Sequence, residues 1–330
     1  MGDLILTIVL PCYNVENYIQ RCFDSLLNQK LNSYEFEIIA INDCSTDNSK
    51  FLLQKQYDYN NIKIIDHINN KGLGASRNTG LRNAKGKYTW FIDPDDYIAN
   101  DCFEHLINLL ERNNLDILSF NFCNVDKNGK ILKTDKIHDR LSAIMNGKEF
   151  LNRHYTPSTF SSCSKIYRTE YIINENLFFE EGVYWEDADF VVKALYFAKR
   201  VMYIPDFLYY YCFNQQSISK MVNAKTNADM VKMGYRKLIF SEQIMGQSIE
   251  LSKKISNDAA WNATVVKKIL FFNHSERLKF YKLINESKYF KIKNLVKNKS
   301  LRFLYFYPNF CIYTLFYLSP ILKFLRKILK

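Results

Sequence analysis

The eight cysteines of this 330-residue chain include no C-x-x-C pair, and the five histidines stand at no metal-ligand spacing. Those absences exclude a zinc site and a disulfide framework and leave reduced, structural thiols. His67, His105, His138, His154 and His274 are accordingly assigned no chemistry. A basic leader is missing too: Asp3 stands where a signal peptide would carry Lys or Arg, and the apolar run behind it is only a strand long. A cytoplasmic location is expected, which leaves the sequons Asn262-Ala263-Thr264 and Asn273-His274-Ser275 without consequence. The first 250 residues also lack any basic excess. Of a net charge of +11, the segment from residue 251 onward carries 17 Lys and Arg against Asp258, Glu276 and Glu286, so the rest of the chain is slightly acidic. A nucleic-acid reader would more often carry its charge on the ligand-reading domain. A basic tail interleaved with apolar and aromatic residues suits an anionic membrane surface.

What is present is a globular chain, 48% apolar, long enough for about two domains or one large domain with an appendage. Leu4 to Leu10 is a continuous apolar run closed by Pro11, as in a strand buried on both faces. Ile19, Cys22, Phe23, Leu26 and Leu27 then follow a helical period. A second strand, Phe36 to Ile41, ends in Asn42-Asp43 and a Ser/Thr/Asp cluster able to cap a helix from near Thr46. A third, Ile62 to Ile65, leads through Asn70-Lys71-Gly72 to a helix over Ala75 to Ala84. This alternation predicts a doubly wound α/β sheet, with ligands at the carboxyl ends of its strands.

The fourth strand carries the densest chemistry. Tyr88-Thr89-Trp90-Phe91-Ile92 runs into Asp93, Asp95 and Asp96, with Pro94 stiffening the turn. Three acids at the end of a buried strand repel one another unless a cation sits there, and a hard divalent ion holding a diphosphate is the usual solution. Taken singly, D-x-D-D is also an ordinary Asp/Pro turn, Asp43 a helix cap, Arg77 a solvated helical charge and Glu16 a first-turn acid. All of them at one sheet edge is a stronger pattern than any one. Trp185-Glu186-Asp187, just before a helical run from Phe190 to Ala198, reads alone as helix capping. Displacing a nucleoside diphosphate by a hydroxyl needs charge neutralisation on the leaving group and a proton acceptor away from the metal.

The segments Val9 to Gln29, Glu37 to Ser49, Asn70 to Tyr97 and Tyr184 to Phe190 together resemble the family 2 glycosyltransferases of GT-A fold, in order and at matching spacing over roughly the first 200 residues. The resemblance implies a nucleotide-sugar donor, with uridine as the expected base, a divalent Mn²⁺ or Mg²⁺ ion, inversion at the sugar carbon, and a saccharide or lipid-linked saccharide acceptor. By the same resemblance, Asp43 contacts the base, with Pro11, Tyr13 and Glu16 at the base and ribose. Arg77 contacts base edge or diphosphate, Asp93 lies near the ribose, Asp95 binds the metal, and Asp187 is the catalytic base. Lys165 and Glu186 are expected at the phosphate or acceptor. Two positions depart from the pattern: Cys44 replaces a common glycine, and Phe213 to Ser217 lacks the arginine often found there.

The expected organisation is a GT-A catalytic domain over 1–220, with a nucleotide-sugar half (1–99) and an acceptor half (100–220). A helical basic extension (221–300) and a membrane-associating tail (301–330) follow. Asp116 to Cys123 and Tyr203 to Phe213 read as further strands, the latter an aromatic wall or core, and Lys165 to Phe179 as a strand or loop. Phe303 to Leu322 lacks charge, but Pro308, Pro320 and four tyrosines suit the interface better than a span, and Pro320 to Lys330 has one apolar and one basic helical face. Peripheral attachment to the inner leaflet is expected. A sugar-nucleotide nucleotidyltransferase, the alternative enzyme, would want a Gly-rich basic loop where Pro11-Cys12-Tyr13-Asn14 stands. An inactive sugar-nucleotide-binding module is disfavoured by the presence of the metal acids and Asp187.

Overall fold

The computed structural model describes residues 4–31, 35–55, 60–136, 143–213, 221–264, 268 and 272–284. Two compact units emerge: Met1–Gly182 with Glu186–Gln215, and Val183–Trp185 with Gln216–Lys330. The first is built on a mixed sheet of nine strands among the described residues. In chain order these are β1 (Leu6–Cys12), β2 (Phe36–Asn42), β3 (Ile62–Asp66), β4 (Tyr88–Phe91), β5 (Tyr97–Ile98), β6 (Ile117–Val125), β7 (Ile131–Asp135), β8 (Lys165–Arg168) and β9 (Val201–Cys212). They lie in the order β3-β2-β1-β4-β8-β6-β9-β5, with β7 on β6. The first four are mutually parallel. Beyond β4 the sheet changes character, since β8 is antiparallel to both its neighbours, β4 and β6.

Helices α1 (Ile19–Leu27), α2 (Ser49–Gln54) and α3 (Leu73–Asn83) connect the first four strands, and α4 (Phe103–Arg112), α5 (Gly147–His154), α6 (Thr169–Asn174) and α7 (Glu186–Phe197) complete the unit. Successive residues of β4 point to opposite sheet faces. Trp90 joins Phe36, Phe103 and Phe120 in one core. Phe91 meets Tyr167, Phe179 and Phe190 in another aromatic cluster. Helix α3 lies so close on β1 that a Cβ at Gly80 would fall 2.3 Å from Val9 Cγ1.

The parallel half follows the alternating pattern, with shifted helix starts. Helix α2 begins at Ser49 rather than near Thr46, because Thr46 N–H donates to Asn14 Oδ1 at 2.9 Å and ties that stretch to the first loop. The expected side-chain cap is absent at Asn48; Asp47 Oδ1 accepts instead from Ser49 N–H at 2.9 Å. The Lys165 to Phe179 stretch is a four-residue strand followed at once by α6.

The second unit holds, among the described residues, α8 (Ala224–Ile244), α9 (Ile249–Ala263) and α10 (His274–Ile284). Asn223 caps α8, its side chain accepting from Thr226 N–H while Thr226 Oγ1 accepts from Asn223 N–H. Lys237 reaches Asp258 on α9 at 2.6 Å, and Glu276 on α10 accepts from Ala224 N–H at 2.6 Å. No helix among the described residues is long and apolar enough to cross a membrane. The tail over 301–330 and the Asn214 to Ser217 stretch lie outside the described residues.

Candidate functional site

Parallel pairing of Cys12 with Asn42 and of Val9 with Phe91 brings the loops after β1, β2 and β4 to one edge of the sheet. Pro11 does not close β1 as expected but lies within it, buried and in register with Ile41, and the strand runs on to Cys12; Tyr13 just beyond is 47% exposed. The first loop is stitched to the second. Asn14, at φ 53°, donates its N–H to Ser45 Oγ at 3.2 Å, and Val15 N–H donates to Ser49 Oγ at 2.7 Å. Glu16 Oε2 accepts from Asn48 N–H at 2.9 Å and from its side-chain amide at 2.8 Å. Glu16 thus braces the loop carrying Asp43, with Tyr13 left open above it.

Asp43 is buried, and three donors converge on its carboxylate. Oδ1 takes His67 Nδ1 at 2.7 Å and Lys71 N–H at 2.9 Å; Oδ2 takes Gly72 N–H at 2.8 Å. Gly72 has φ 88°, a left-handed conformation that suits glycine and turns its amide inward. Asn70 adds a side-chain bond to the Asp43 carbonyl at 3.1 Å. Cys44, in place of the family's common glycine, adopts φ 60°.

Arg77 projects from the first turns of α3 and is 2% exposed. Its two terminal nitrogens divide between distant acids, Nη1 donating to Glu186 at 2.6 Å and Nη2 to Asp93 at 2.7 Å, with the guanidinium 5.2 Å over the Phe179 ring. Burial works against this charge, and Asp93 and Glu186 more than compensate, so the guanidinium stays protonated. Burial pushes the Glu186 carboxyl up to about 7, with Arg77 pulling it down and Asp187 adding to the rise. Arg77 therefore joins the acidic turn after β4 to the start of α7.

Within that turn the three acids part company. Asp93 is 26% open and uses only Oδ1 on Arg77. Asp95 is half-buried, and its carbonyl accepts from Arg21 Nη2 at 3.0 Å. Asp96 is buried, accepting from Tyr209 Oη at 2.5 Å and from Cys212 N–H at 2.7 Å. Burial, then the nearby Asp95 and Asp93, raises Asp96 well above the carboxylate range, so it anchors the turn and takes no part in the site. Asp93 Oδ2 and the Asp95 carboxylate are oxygens of the kind a divalent cation takes. Among the described residues no three His, Cys, Asp or Glu side chains form a cluster able to hold a metal.

Asp187 follows Glu186 in α7 and is half-buried. Its charge reaches Arg77, Glu186 and Lys165. Lys165 is enclosed, with Nζ donating to the Ser161 carbonyl at 2.9 Å and Ser164 Oγ at 3.3 Å. Burial drives Lys165 down to about 7, opposed by Asp187. It sits under the site, shut off from solvent.

Sequence reading did not anticipate Arg21, His67, Tyr209 or Asn78. Asn78 closes a pair with Phe179, its amide donating to the Phe179 carbonyl and its Oδ1 accepting the Phe179 N–H, both at 2.9 Å. The adjacency of Arg77 and Asn78 was the available signal for Asn78. The others make contacts across long sequence separations that no local pattern reports.

The profile of glycosyl transferase family 2 matches residues 7–174. An uncharacterized glycosyltransferase, EpsJ of Bacillus subtilis (strain 168), is 31% identical over 221 residues, covering 66% of this chain and 63% of EpsJ. The poly(ribitol-phosphate) beta-N-acetylglucosaminyltransferase TarS of Staphylococcus aureus (strain Mu50) is 30% identical over 207 residues, 62% of this chain and 35% of TarS. The chain thus spans less than two thirds of these relatives. The crystal structure of S. aureus TarS 1-349 with UDP-GlcNAc superposes with a TM-score of 0.68 at 22% identity, covering 94% of this chain and 89% of that one. The mannosyltransferase PcManGT of Pyrobaculum calidifontis, with GDP-Man and Mn²⁺, gives 0.52 at 13% identity, covering 91% and 85%.

Proposed function

The chain belongs to glycosyl transferase family 2 and is a glycosyltransferase of GT-A fold, and from that premise we propose an inverting enzyme that moves a sugar from a uridine-linked donor to a hydroxyl of a saccharide or lipid-linked saccharide, in surface polysaccharide or glycolipid synthesis. The observation that carries the reading is the double ion pair of Arg77, which couples the acids after β4 to the residues beside Asp187. The TarS complex with UDP-GlcNAc supports the uridine donor. The Pyrobaculum protein binds GDP-Man on the same fold, so the base is set by side chains and not by architecture.

In this reading Tyr13 covers the base and Asp43 meets its edge. Asp95 would hold a Mn²⁺ or Mg²⁺ ion, with Asp93 near the ribose, and that ion when bound would supply Lewis-acid neutralisation of the charge on the departing diphosphate. Arg77 holds Asp93 in the turn after β4 and Glu186 in the first turn of α7. Asp187 takes the proton of the acceptor hydroxyl as its oxygen bonds to the anomeric carbon; the carbon–oxygen bond to the diphosphate breaks on the opposite face, and the electron pair leaves with it. A base so placed contributes about 10² to 10⁴ in rate. Lys165 acts on Asp187 through charge from below and touches neither substrate.

Donor hydrolysis and transfer with UDP-sugars and Mn²⁺ test this. Asp95→Ala is expected to keep its fold and lose Mn²⁺-dependent UDP binding; Asp187→Asn is expected to keep donor affinity and lose transfer. Wild-type transfer by the second variant moves the base elsewhere. Unchanged UDP affinity in the first removes the metal assignment.

A further inference from the structure

His67 was given no role from sequence, and the reaction described above does not use it. Its position is nonetheless tightly defined. The ring is buried, with Nδ1 2.7 Å from Asp43 Oδ1 and Nε2 2.9 Å from Thr79 Oγ1 on α3. Its own N–H donates to the Asn42 carbonyl at 2.9 Å, so the backbone is fixed as well. A carboxylate only accepts, and Lys71 and Gly72 already supply N–H donors to Asp43, so the hydrogen on Nδ1 points to Asp43 and the Thr79 hydroxyl faces Nε2.

The count of acceptor positions has a chemical consequence. Two carboxylate oxygens offer about four lone-pair sites. In Asp43, His67 and Lys71 fill both on Oδ1, and Gly72 fills one on Oδ2. One remains, on a side chain 3% exposed. Uracil and thymine present a single imino N–H between two carbonyls, which one acceptor satisfies. Guanine presents an imino N–H beside an amino N–H and needs two adjacent acceptors, so its second donor would be buried unpaired. Adenine and cytosine turn a ring-nitrogen lone pair toward a carboxylate.

We infer that His67, held by Thr79, is a positioning residue that sets base selection: by occupying one oxygen of Asp43 it leaves a single open acceptor, fitted to a uracil-type base and closed to guanine. The inference rests on the reading that Asp43 meets the base of the donor. Removing the imidazole frees a position on Oδ1 and lets the carboxylate rotate, so both the affinity for uridine and the discrimination against guanosine fall together.

The test is calorimetric titration of UDP and GDP, with Mn²⁺, into wild type, His67→Ala, His67→Asn and Thr79→Val, each first checked for a folded thermal transition. Asn at 67 retains a donor placed like Nδ1–H, and Val at 79 removes only the hydroxyl. Wild type is expected to favour UDP by about tenfold or more, the scale of one buried unpaired donor. His67→Ala should lower that ratio at least severalfold, Thr79→Val should lower it less, and His67→Asn should recover most of it, with donor KM rising more than kcat falls. A general loss of folding would weaken both nucleotides alike and spare the ratio. A UDP:GDP ratio unchanged in His67→Ala and Thr79→Val, with UDP still bound, overturns the inference alone. If Asp43→Asn leaves UDP affinity intact, or wild type binds neither nucleotide, the donor-site reading fails and the inference falls with it.

Discussion

Arg77 shows how much one side chain can hold. It is buried between Asp93 and Glu186, and each terminal nitrogen serves a different acid. Arg77→Met leaves Glu186 buried without its counter-charge, which is expected to cost about 3–5 kcal/mol. Adding Glu186→Gln should restore part of that loss, and urea denaturation of the two singles and the double measures the coupling. Lys165 gives a pH signature of its own. Its folded value near 7 lies below the ordinary 10.5, so above pH 7 the unfolded chain binds the extra proton. The sign follows: the stabilising difference is complete above 10.5 and is lost as pH falls through 7. Melting temperatures of wild type and Lys165→Met, compared between pH 6.5 and 9.5, should show wild type gaining on the variant as pH rises. Asp43, Arg77, Asp93, Asp95 and Asp187 could be chosen as candidates from the sequence because each lies in a segment that resembles a family motif of fixed spacing. Their partners could not: Arg77 and Glu186 are 109 positions apart, and Tyr209 reaches back 113 to Asp96.

At the level of elements, the parallel half of the sheet could be read from its apolar runs, because strands buried on both faces declare themselves as uninterrupted hydrophobic stretches. Beyond β4, the strands β6 and β9 could also be read as segments, but not the mixed parallel and antiparallel pairing that joins them to β8. The order β8-β6-β9 depends on pairing between segments far apart in the chain, and a four-residue β8 running directly into α6 carries no periodicity long enough to recognise. The contact of α3 with β1 offers a direct test of packing. Alanine in a helix is favoured over glycine by about 1 kcal/mol. At position 80, however, the new methyl would meet Val9 at 2.3 Å, and overpacking of that kind costs about 1–3 kcal/mol. Gly80→Ala is therefore expected to be a net destabilisation, read as a lower urea midpoint at unchanged slope.

For the whole molecule, charge and organisation run in parallel. The first 250 residues are slightly acidic, and the basic excess is confined to the residues after 250. We propose that this end attaches the enzyme to the inner leaflet beside a lipid-linked acceptor, with each basic residue contributing about 1 kcal/mol near anionic lipid. Full-length protein should sediment with anionic vesicles at low salt. Truncation after Lys299 should release it and weaken transfer to a lipid-linked acceptor more than donor hydrolysis. Failure of the full-length protein to sediment rules the attachment out.

The place of β8 in the sheet bears on how the chain is made. Strand β4 has β1 on one side and β8 on the other, yet β8 comes 77 positions later in sequence, counted from Phe91 to Arg168. At a synthesis rate of about 5–20 residues per second, the edge of β4 waits roughly 4–15 s on the ribosome without its second neighbour. Through that interval a row of backbone donors and acceptors beside Trp90 and Phe91 stands open to any other strand. The acidic turn at the tip of β4 places Asp93, Asp95 and Asp96 just beyond that open strand, with like charge, before their own partners have arrived. Like charge placed there discourages nascent chains from pairing with one another.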